Sequence, residues 1–203
     1  MSEIKVNKIS PVSVSGTTLF GDSGDTFTIP SGATFSNLGT ATGFGGGGVL
    51  QLKHTEFTAT ASSTTADNTF STNYFSVTIT PTLATSKILI LANVNCGMGN
   101  NNYNMGIRLV RDTTVIGSTP DSPSARTVGF CGTRIEIHNQ RSLSINYLDA
   151  PASTSALVYG IQGTMQASGT ALYINRTGND TDDKGYGRNV SHITAVEIAV
   201  GIL

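Results

Sequence analysis

The carboxylates of the chain are the first side chains whose chemistry could define an activity. Hydrolysis of a glycan needs two carboxylates that face each other across a cleft. The four glutamates are Glu3, Glu56, Glu136 and Glu197. Glu136 and Glu197 each lie in a segment that alternates apolar with polar residues, which predicts that they point outward from strands. The pattern favours solvated or interface-facing carboxylates over a glycosidase site.

The histidines and cysteines form no recognisable catalytic or metal-binding pattern either. His54, His138 and His192 are far apart, and the sequence contains no GxSxG elbow, HExxH motif or phosphate-binding glycine loop. Cys96 and Cys131 belong to no CxxC pair. Two buried thiols on strands are the favoured interpretation, and a disulfide is the alternative. We therefore expect a protein that is not an enzyme and that holds neither a cofactor nor a metal.

Two polar loops are candidates for binding a receptor. One loop, residues 100–104, is rich in asparagine. The other, residues 175–188, is the densest polar stretch of the chain. Amides, charges and an aromatic ring on long loops suit contact with a sugar or a protein. Plain solvated loops are the alternative. The candidate contact residues are Asn101, Tyr103, Asp182, Tyr186 and Arg188.

Two further polar groups have competing interpretations. Asp180, Asp182 and Asp183 could donate oxygens to Ca²⁺, but their spacing is not that of an EF-hand. The basic side chains of Lys184 and Arg188 can neutralise these carboxylates instead. A second group is predicted to share one strand face by the period of two and to form a surface or inter-subunit ion pair. Its members are Arg134, Glu136 and His138.

The overall composition limits the classes of partner. Of the 203 residues, 38% are hydrophobic and only 12% are charged, and the net charge is −1. Abundant Ser, Thr, Asn and Gly favour strands and turns over helices. Without a basic patch, binding to nucleic acid is not expected. The first residues lack the apolar core of a secretory leader, and the longest apolar run, residues 88–92, is too short for a membrane span of about 20 residues. We therefore expect no membrane insertion.

An eight-residue repeat marks the N-terminal part of the chain. Ser-Gly-x-Thr followed by a large apolar residue occurs at residues 15–19, 23–27 and 31–35. Each unit predicts a short strand with a turn, and three such units cannot bury their apolar side chains within one chain. This predicts a β shaft of three intertwined chains, and a loose Ser/Gly-rich arm is the alternative. The repeat residues assigned to the trimer interface are Leu19, Phe27 and Phe35.

A glycine-rich segment separates the repeat from the rest of the chain. Six of the ten residues from 39 to 48 are glycine, which leaves the backbone unconstrained. We predict an attachment and shaft segment over residues 1–44, a glycine hinge over residues 45–48 and a head domain over residues 49–203.

The head domain reads as a succession of strands. Residues 75–79 alternate between apolar and polar, the period of a half-buried strand. Residues 88–94 are apolar on both faces, which predicts cover from a second layer or another subunit. Ile88 and Ile90 are therefore also assigned to the trimer interface. Eight to ten strands separated by turn clusters predict an all-β fold, a two-sheet jelly-roll sandwich.

Several segments resemble tail-fibre-like proteins of marine phages, including those of cyanobacteria. The similarity covers nearly the whole chain and lies in strand and turn segments, so it implies a fold and a setting rather than a mechanism. The segments that resemble the start of those proteins are residues 4–11 (IKVNKISP), 21–34 and 41–45. The similar segments of the head are residues 86–90, 109–112, 147–151, 172–176 and 193–198.

The resemblance implies a virion protein that is assembled in the host cytoplasm. It implies N-terminal attachment to a tail, neck or capsid protein, a homotrimer, and a distal head that resembles complement-type and tumour-necrosis-factor-type jelly rolls. Full tail fibres usually carry a larger anchoring domain and a longer shaft, which we expect this chain to lack. The expected function is a short trimeric tail fibre whose head binds a host glycan or outer-membrane protein. The alternative is a purely structural decorating or connecting fibre on tail, neck or capsid.

Overall fold

The computed structural model describes residues 26, 28, 31–33, 48–65, 69–100, 103–118 and 129–199. The chain divides into two compact units, Met1–Phe44 and Gly45–Leu203. In the first unit, Ser31 and Gly32 form an exposed turn in which Gly32 has a φ of 86°, a conformation that glycine adopts without strain. This is a Ser-Gly turn of the kind that the repeat predicts. The interface residues assigned to the repeat, which lie outside the described residues, are Leu19, Phe27 and Phe35.

The described part of the second unit contains eleven strands and no helix, which confirms the all-β prediction. The count exceeds the eight to ten expected because four strands have only three or four residues. Across the described ranges, no helix is long and apolar enough to cross a bilayer. The strands are β1 Val49–Phe57, β2 Ala61–Thr64, β3 Phe75–Ile79, β4 Lys87–Met98, β5 Met105–Arg111, β6 Thr114–Ile116, β7 Cys131–Thr133, β8 Gln140–Asp149, β9 Leu157–Met165, β10 Ala171–Ile174 and β11 Ser191–Ile198.

The strands form two antiparallel sheets. In sheet I, β11 lies between β1 and β4, and β8 pairs with the other edge of β4. The end of β4 also pairs with β10, which in turn pairs with β2. In sheet II, β9 lies between β3 and β5, and β5 pairs with both β6 and β7. The long strands alternate between sheets in chain order, so β3, β5 and β9 belong to sheet II, whereas β4, β8 and β11 belong to sheet I.

One hydrophobic core lies between the two sheets. The alternation predicted over residues 75–79 is confirmed, because Phe75, Val77 and Ile79 are all buried. Tyr159 of β9, in the same sheet, has no exposed surface. Each such side chain contributes roughly 1.5–3 kcal/mol through removal of apolar surface from water.

The assignment of Ile88 and Ile90 to a subunit interface is corrected by the fold. Both side chains have no exposed surface and belong to the core of a single chain. Leu89 and Leu91 lie on the opposite, outer face of β4, and Leu91 is 38% exposed. Because side chains alternate along a strand, a shift of one residue exchanges the two faces. The outer face is therefore the side of β4 that is exposed to solvent.

Glu197 is a second correction, because it points into the protein rather than outward. Its side chain has no exposed surface. Its Oε1 accepts hydrogen bonds from the amide and hydroxyl of Thr82, at 2.8 and 2.9 Å, and its Oε2 accepts one from Gln51 Nε2 at 2.6 Å. Burial raises the pKa of Glu197, but the hydrogen bonds outweigh burial and leave the pKa below its ordinary value. The ionised carboxylate thus fastens the β3–β4 connection to β1 and β11.

We expect the contribution of Glu197 to stability to be lost in acid. Because the folded pKa is lowered, the unfolded chain takes up the proton first, so the contribution is full above the unfolded pKa and disappears as the pH falls through the folded one. Glu197→Gln should therefore cost about 1–3 kcal/mol at neutral pH and clearly less at about pH 3. Urea unfolding at fixed protein concentration measures this difference. Asp182→Asn, at an exposed carboxylate, is the control, and an equal cost of Glu197→Gln at both pH values would contradict the assignment.

A buried ion pair joins the two sheets. Asp149 ends β8 of sheet I, whereas Arg111 and Tyr159 belong to β5 and β9 of sheet II. Arg111 Nη1 donates to both carboxylate oxygens, at 2.9 and 2.7 Å, and the Tyr159 hydroxyl donates to Oδ2 at 2.7 Å. Burial raises the pKa of Tyr159, and the hydrogen bond to Asp149 raises the pKa of Arg111. The network therefore combines a charged pair with a neutral tyrosine.

Candidate functional site

Several connections between strands gather at one end of the sandwich, which we call the loop end. There Met105, at the start of β5, pairs with Met165, at the end of β9. The chain enters the head at the opposite end, where Val49 pairs with Ile198. Among the described residues, the connections at the loop end include residues 58–60, 99–100, 103–104, 134–139, 166–170 and 175–190.

Asn175 fixes the start of the longest connection. It has a φ of 63°, in the left-handed region that asparagine tolerates better than most residues. Its buried Nδ2 donates to the carbonyl oxygens of Phe57 and Ala59, at 2.6 and 2.8 Å. Its Oδ1 accepts a hydrogen bond of 2.6 Å from the Ser191 hydroxyl. One amide therefore ties the base of the connection to the end of β1 and the start of β11.

The connection then runs close to the backbone of β4. A Cβ atom on Gly97 would overlap the carbonyl oxygen of Arg176, and one on Gly178 would overlap the carbonyl oxygen of Met98. Glycine is required at both positions because of this close approach. The Gly178 amide also donates to the Ile137 carbonyl at 2.9 Å, which joins the connection to residues 134–139.

Asp180 lies between two guanidinium groups. Arg188 donates hydrogen bonds of 2.8 and 2.7 Å to its two oxygens, and Arg176 Nη1 lies 3.1 Å from Oδ2. The Arg176 guanidinium also stacks on Tyr173, 3.8 Å from the ring centroid. Arg188 thus neutralises this carboxylate, as one interpretation of the sequence predicted, whereas the second cation is Arg176 and not the predicted Lys184. Within the described ranges, no group of three or more His, Cys, Asp or Glu residues is placed to hold a metal.

Three predicted contact residues lie on or beside the tip of this connection. Asp182 is exposed, and Tyr186 is half-buried with its ring centroid 5.5 Å from that of His138. Arg188 keeps more than half of its side-chain surface in water, although it holds Asp180. The tip therefore presents a carboxylate, an aromatic ring and a guanidinium to solvent.

The second predicted loop lies at the same end. Tyr103 is half-buried and packs against the hydrophobic core, so only part of its ring is available to a ligand. The Asn104 amide donates to Gln166 Oε1 at 3.0 Å, which joins this loop to residues 166–170. Asn101 lies outside the described residues.

Residues 134–139 form a connection with a turn, which corrects the predicted strand. Ile135 is buried, and its amide donates to Met98 Sδ at 3.3 Å. The alternation of apolar with polar residues imitates a strand, but Ile135 anchors a turn instead. Consequently the three charged residues of this segment do not share a strand face. They are Arg134, Glu136 and His138.

A cleft that the sequence did not indicate lies between this connection and the start of β8. Its volume is 720 Å³. Its lining is polar or charged except for one residue, which suits a hydrophilic ligand. The lining residues are Arg134, Ile135, Glu136, Asn139, Gln140 and Arg141.

The outer face of sheet I is apolar near the end where the chain enters. One row across β1, β11, β4 and β8 consists of Leu52, Val196, Leu89 and Leu148. Leu52 is 56% exposed, and Leu148 and the adjacent Leu91 are each 38% exposed. We call these five residues the apolar patch. Val196 is buried and Leu89 is half-buried between these exposed leucines. A group of exposed apolar side chains on one sheet face is typical of an interaction surface.

Both cysteines are free thiols on strands, as the favoured interpretation predicted. Cys96 is buried in β4, and Cys131 is half-buried in β7. Burial raises the pKa of both thiols. A raised pKa lowers the thiolate fraction, so neither cysteine has the character of a nucleophile.

No protein-family model matches the chain, and no curated protein matches it. The features that bear on function are therefore the two-sheet sandwich, the loop end with its cleft, and the apolar patch.

Proposed function

We propose that the chain is a non-enzymatic virion protein of a phage, a short trimeric tail fibre whose head binds a host receptor. One observation carries the proposal. The exposed tip with Asp182 and Tyr186 lies at the end of the head opposite Val49, where the chain enters. A fibre attached to the virion through residues 1–44 would direct this end away from the particle. Polar and aromatic side chains on loops of a rigid sheet scaffold are typical of recognition surfaces.

The head is, in this proposal, a jelly roll. The support is the alternation of β3, β4, β5, β8, β9 and β11 between the two sheets, together with the strand orders β1-β11-β4-β8 and β3-β9-β5-β7. Jelly rolls arise when a chain winds between two sheets in this manner. The resemblance to complement-type and tumour-necrosis-factor-type heads implies the same architecture.

In this proposal, the apolar patch is the surface through which three copies of the chain associate. Leu52, Leu91 and Leu148 of the patch are exposed in a single chain, and the eight-residue repeat also carries apolar side chains that one chain is not expected to bury. Association of the same three copies would shield both. The patch replaces Ile88 and Ile90 as the proposed interface of the head. Three weak receptor sites on one fibre would gain affinity through avidity.

Adsorption of virions tests the receptor function. We expect particles that carry Asp182→Ala and Tyr186→Ala to assemble normally and to adsorb to host cells at least about tenfold less, since both side chains are available to a receptor. Lys53→Ala, at an exposed strand position of β1, should adsorb as the unchanged virion does. Electron microscopy counts assembled particles independently of adsorption.

Deletion of residues 49–203 separates adhesion from a purely structural role. Virions that assemble without the head but no longer adsorb support the receptor function. Failure of assembly, together with normal adsorption of the double loop variant, would instead assign the chain to a decorating or connecting fibre.

A further inference from the structure

We propose that the cleft beside the start of β8 binds an acidic sugar, a saccharide unit that carries a carboxylate. The inference rests on the proposed receptor function and names the chemistry of one receptor site. The cleft volume of 720 Å³ lies within the roughly 300–1,000 Å³ of small-ligand sites. Ile135 is the single apolar residue of the lining, and the other lining residues bring amide and charged groups to walls that are also partly aliphatic.

Arg141 supplies a cation without a counter-ion. Its side chain lines the cleft and makes no hydrogen bond or ion pair in the described part of the chain. A guanidinium binds a carboxylate through two parallel hydrogen bonds. Every other described arginine already interacts with another residue. Arg108 contacts Gln162 and Phe70, Arg111 binds Asp149, and both Arg176 and Arg188 bind Asp180. Arg134 also makes an interaction with another group.

Gln140 supplies an acceptor that lacks a donor. Its Nε2 donates to the Gly187 carbonyl at 2.5 Å, which holds the amide in place. Its Oε1 is buried and accepts no hydrogen bond. Because this oxygen has almost no accessible surface, a sugar hydroxyl can bond to it only when the Gln140 side chain turns toward the cleft. The guanidinium of Arg141 and the amides of the lining match the carboxylate and hydroxyl groups of a sugar acid.

The charge of the lining favours a ligand with a single negative charge. Arg134 and Arg141 are opposed by one exposed carboxylate, that of Glu136, which accepts from Asn139 Nδ2 at 3.3 Å. A multiply charged phosphate would face this carboxylate at close range, whereas a carboxylated sugar places one anion at Arg141 and neutral hydroxyls elsewhere. The amides of the lining can bind those hydroxyls in either direction.

A hydrogen bond connects the lining of the cleft to the loop that carries the exposed tip. The bond from Gln140 to the Gly187 carbonyl joins the lining directly to the segment that carries Tyr186. A glycan chain with one acidic unit in the cleft could therefore place its next units against the aromatic ring and the carboxylate of the tip. This arrangement selects an oligosaccharide over an isolated anion.

Titration calorimetry on the full-length protein tests the assignment with tetragalacturonate as the probe. We expect the unchanged protein to bind, Arg141→Ala to weaken the Kd by at least about tenfold, and Arg141→Lys to weaken it less, because lysine keeps the charge but not the paired hydrogen bonds. Lys53→Ala, which removes a positive charge from β1, should leave the Kd unchanged. The methyl ester of the probe, which has no free carboxylate, should bind as weakly as Arg141→Ala binds the acid.

Absence of binding by the unchanged protein at millimolar tetragalacturonate overturns the assignment, as does equal binding by Arg141→Ala. Stronger binding of a sulfated neutral oligosaccharide would assign the cleft to sulfate and also contradict it. Virions carrying Arg141→Ala separate this inference from the receptor function. If they adsorb normally while the Asp182 and Tyr186 variant does not, the cleft assignment falls and the receptor function stands; if both adsorb normally, the receptor function falls as well.

Discussion

Replacement of Asp149 by alanine is expected to lower the free energy of unfolding by about 3 kcal/mol, near the lower limit for breaking a buried ion pair. The carboxylate accepts two hydrogen bonds from Arg111 and one from Tyr159. Its loss leaves the buried Tyr159 hydroxyl without this acceptor and removes a link between the two sheets. The Arg111 side chain is 24% exposed, so water compensates the guanidinium in part.

Urea unfolding at fixed protein concentration measures this loss. Circular dichroism is the suitable signal, because the chain contains no tryptophan. Asp182→Ala is the matched control, since it removes an exposed carboxylate and should change the free energy by less than about 0.5 kcal/mol. A cost of Asp149→Ala as small as that of the control would show that the network does not hold the sheets together.

Replacement of Leu91 by glutamate is expected to convert the proposed trimer into monomers without unfolding the head. Leu91 lies on the outer face of β4 within the apolar patch, so a charged side chain is tolerated in a single chain. At a subunit interface the same carboxylate would be buried without a partner, at a cost of several kcal/mol in each of three copies. Sedimentation velocity measures the change in mass, and circular dichroism reports whether the fold is retained.

Val115→Glu provides the control for that experiment. Val115 belongs to β6 of sheet II, and its exposed fraction of 36% is close to that of Leu91. The substitution introduces the same charge at a comparable apolar position outside the patch, so the trimer should persist. A folded Leu91→Glu protein that still sediments as a trimer would remove the patch from the interface.

Local periodicity was sufficient where one face of a strand differs from the other. Residues 75–79 have an apolar and a polar face, so their inward direction follows from the pattern alone. β4 has two apolar faces, and its pairing with β8 and β11 decides that Ile88 points inward and Leu89 outward. Those partners lie far along the chain, and their register leaves no local signal in residues 88–94.

The surroundings of a buried polar residue also depend on residues that are distant in the sequence. The burial of Glu197 depends on Gln51 and Thr82, more than 110 residues away, so its surroundings could not be predicted from neighbouring residues. The tip that carries Asp182 was predictable, because turn-forming residues act locally. The cleft was not, because its walls come from a turn that imitates a strand and from the first residues of β8, among them Arg141.

Sedimentation of the unaltered 203-residue chain at micromolar concentration tests whether the protein is a trimer. We predict a single species with three times the 21.1 kDa mass of one chain. A stable monomer of 21.1 kDa at that concentration would contradict it.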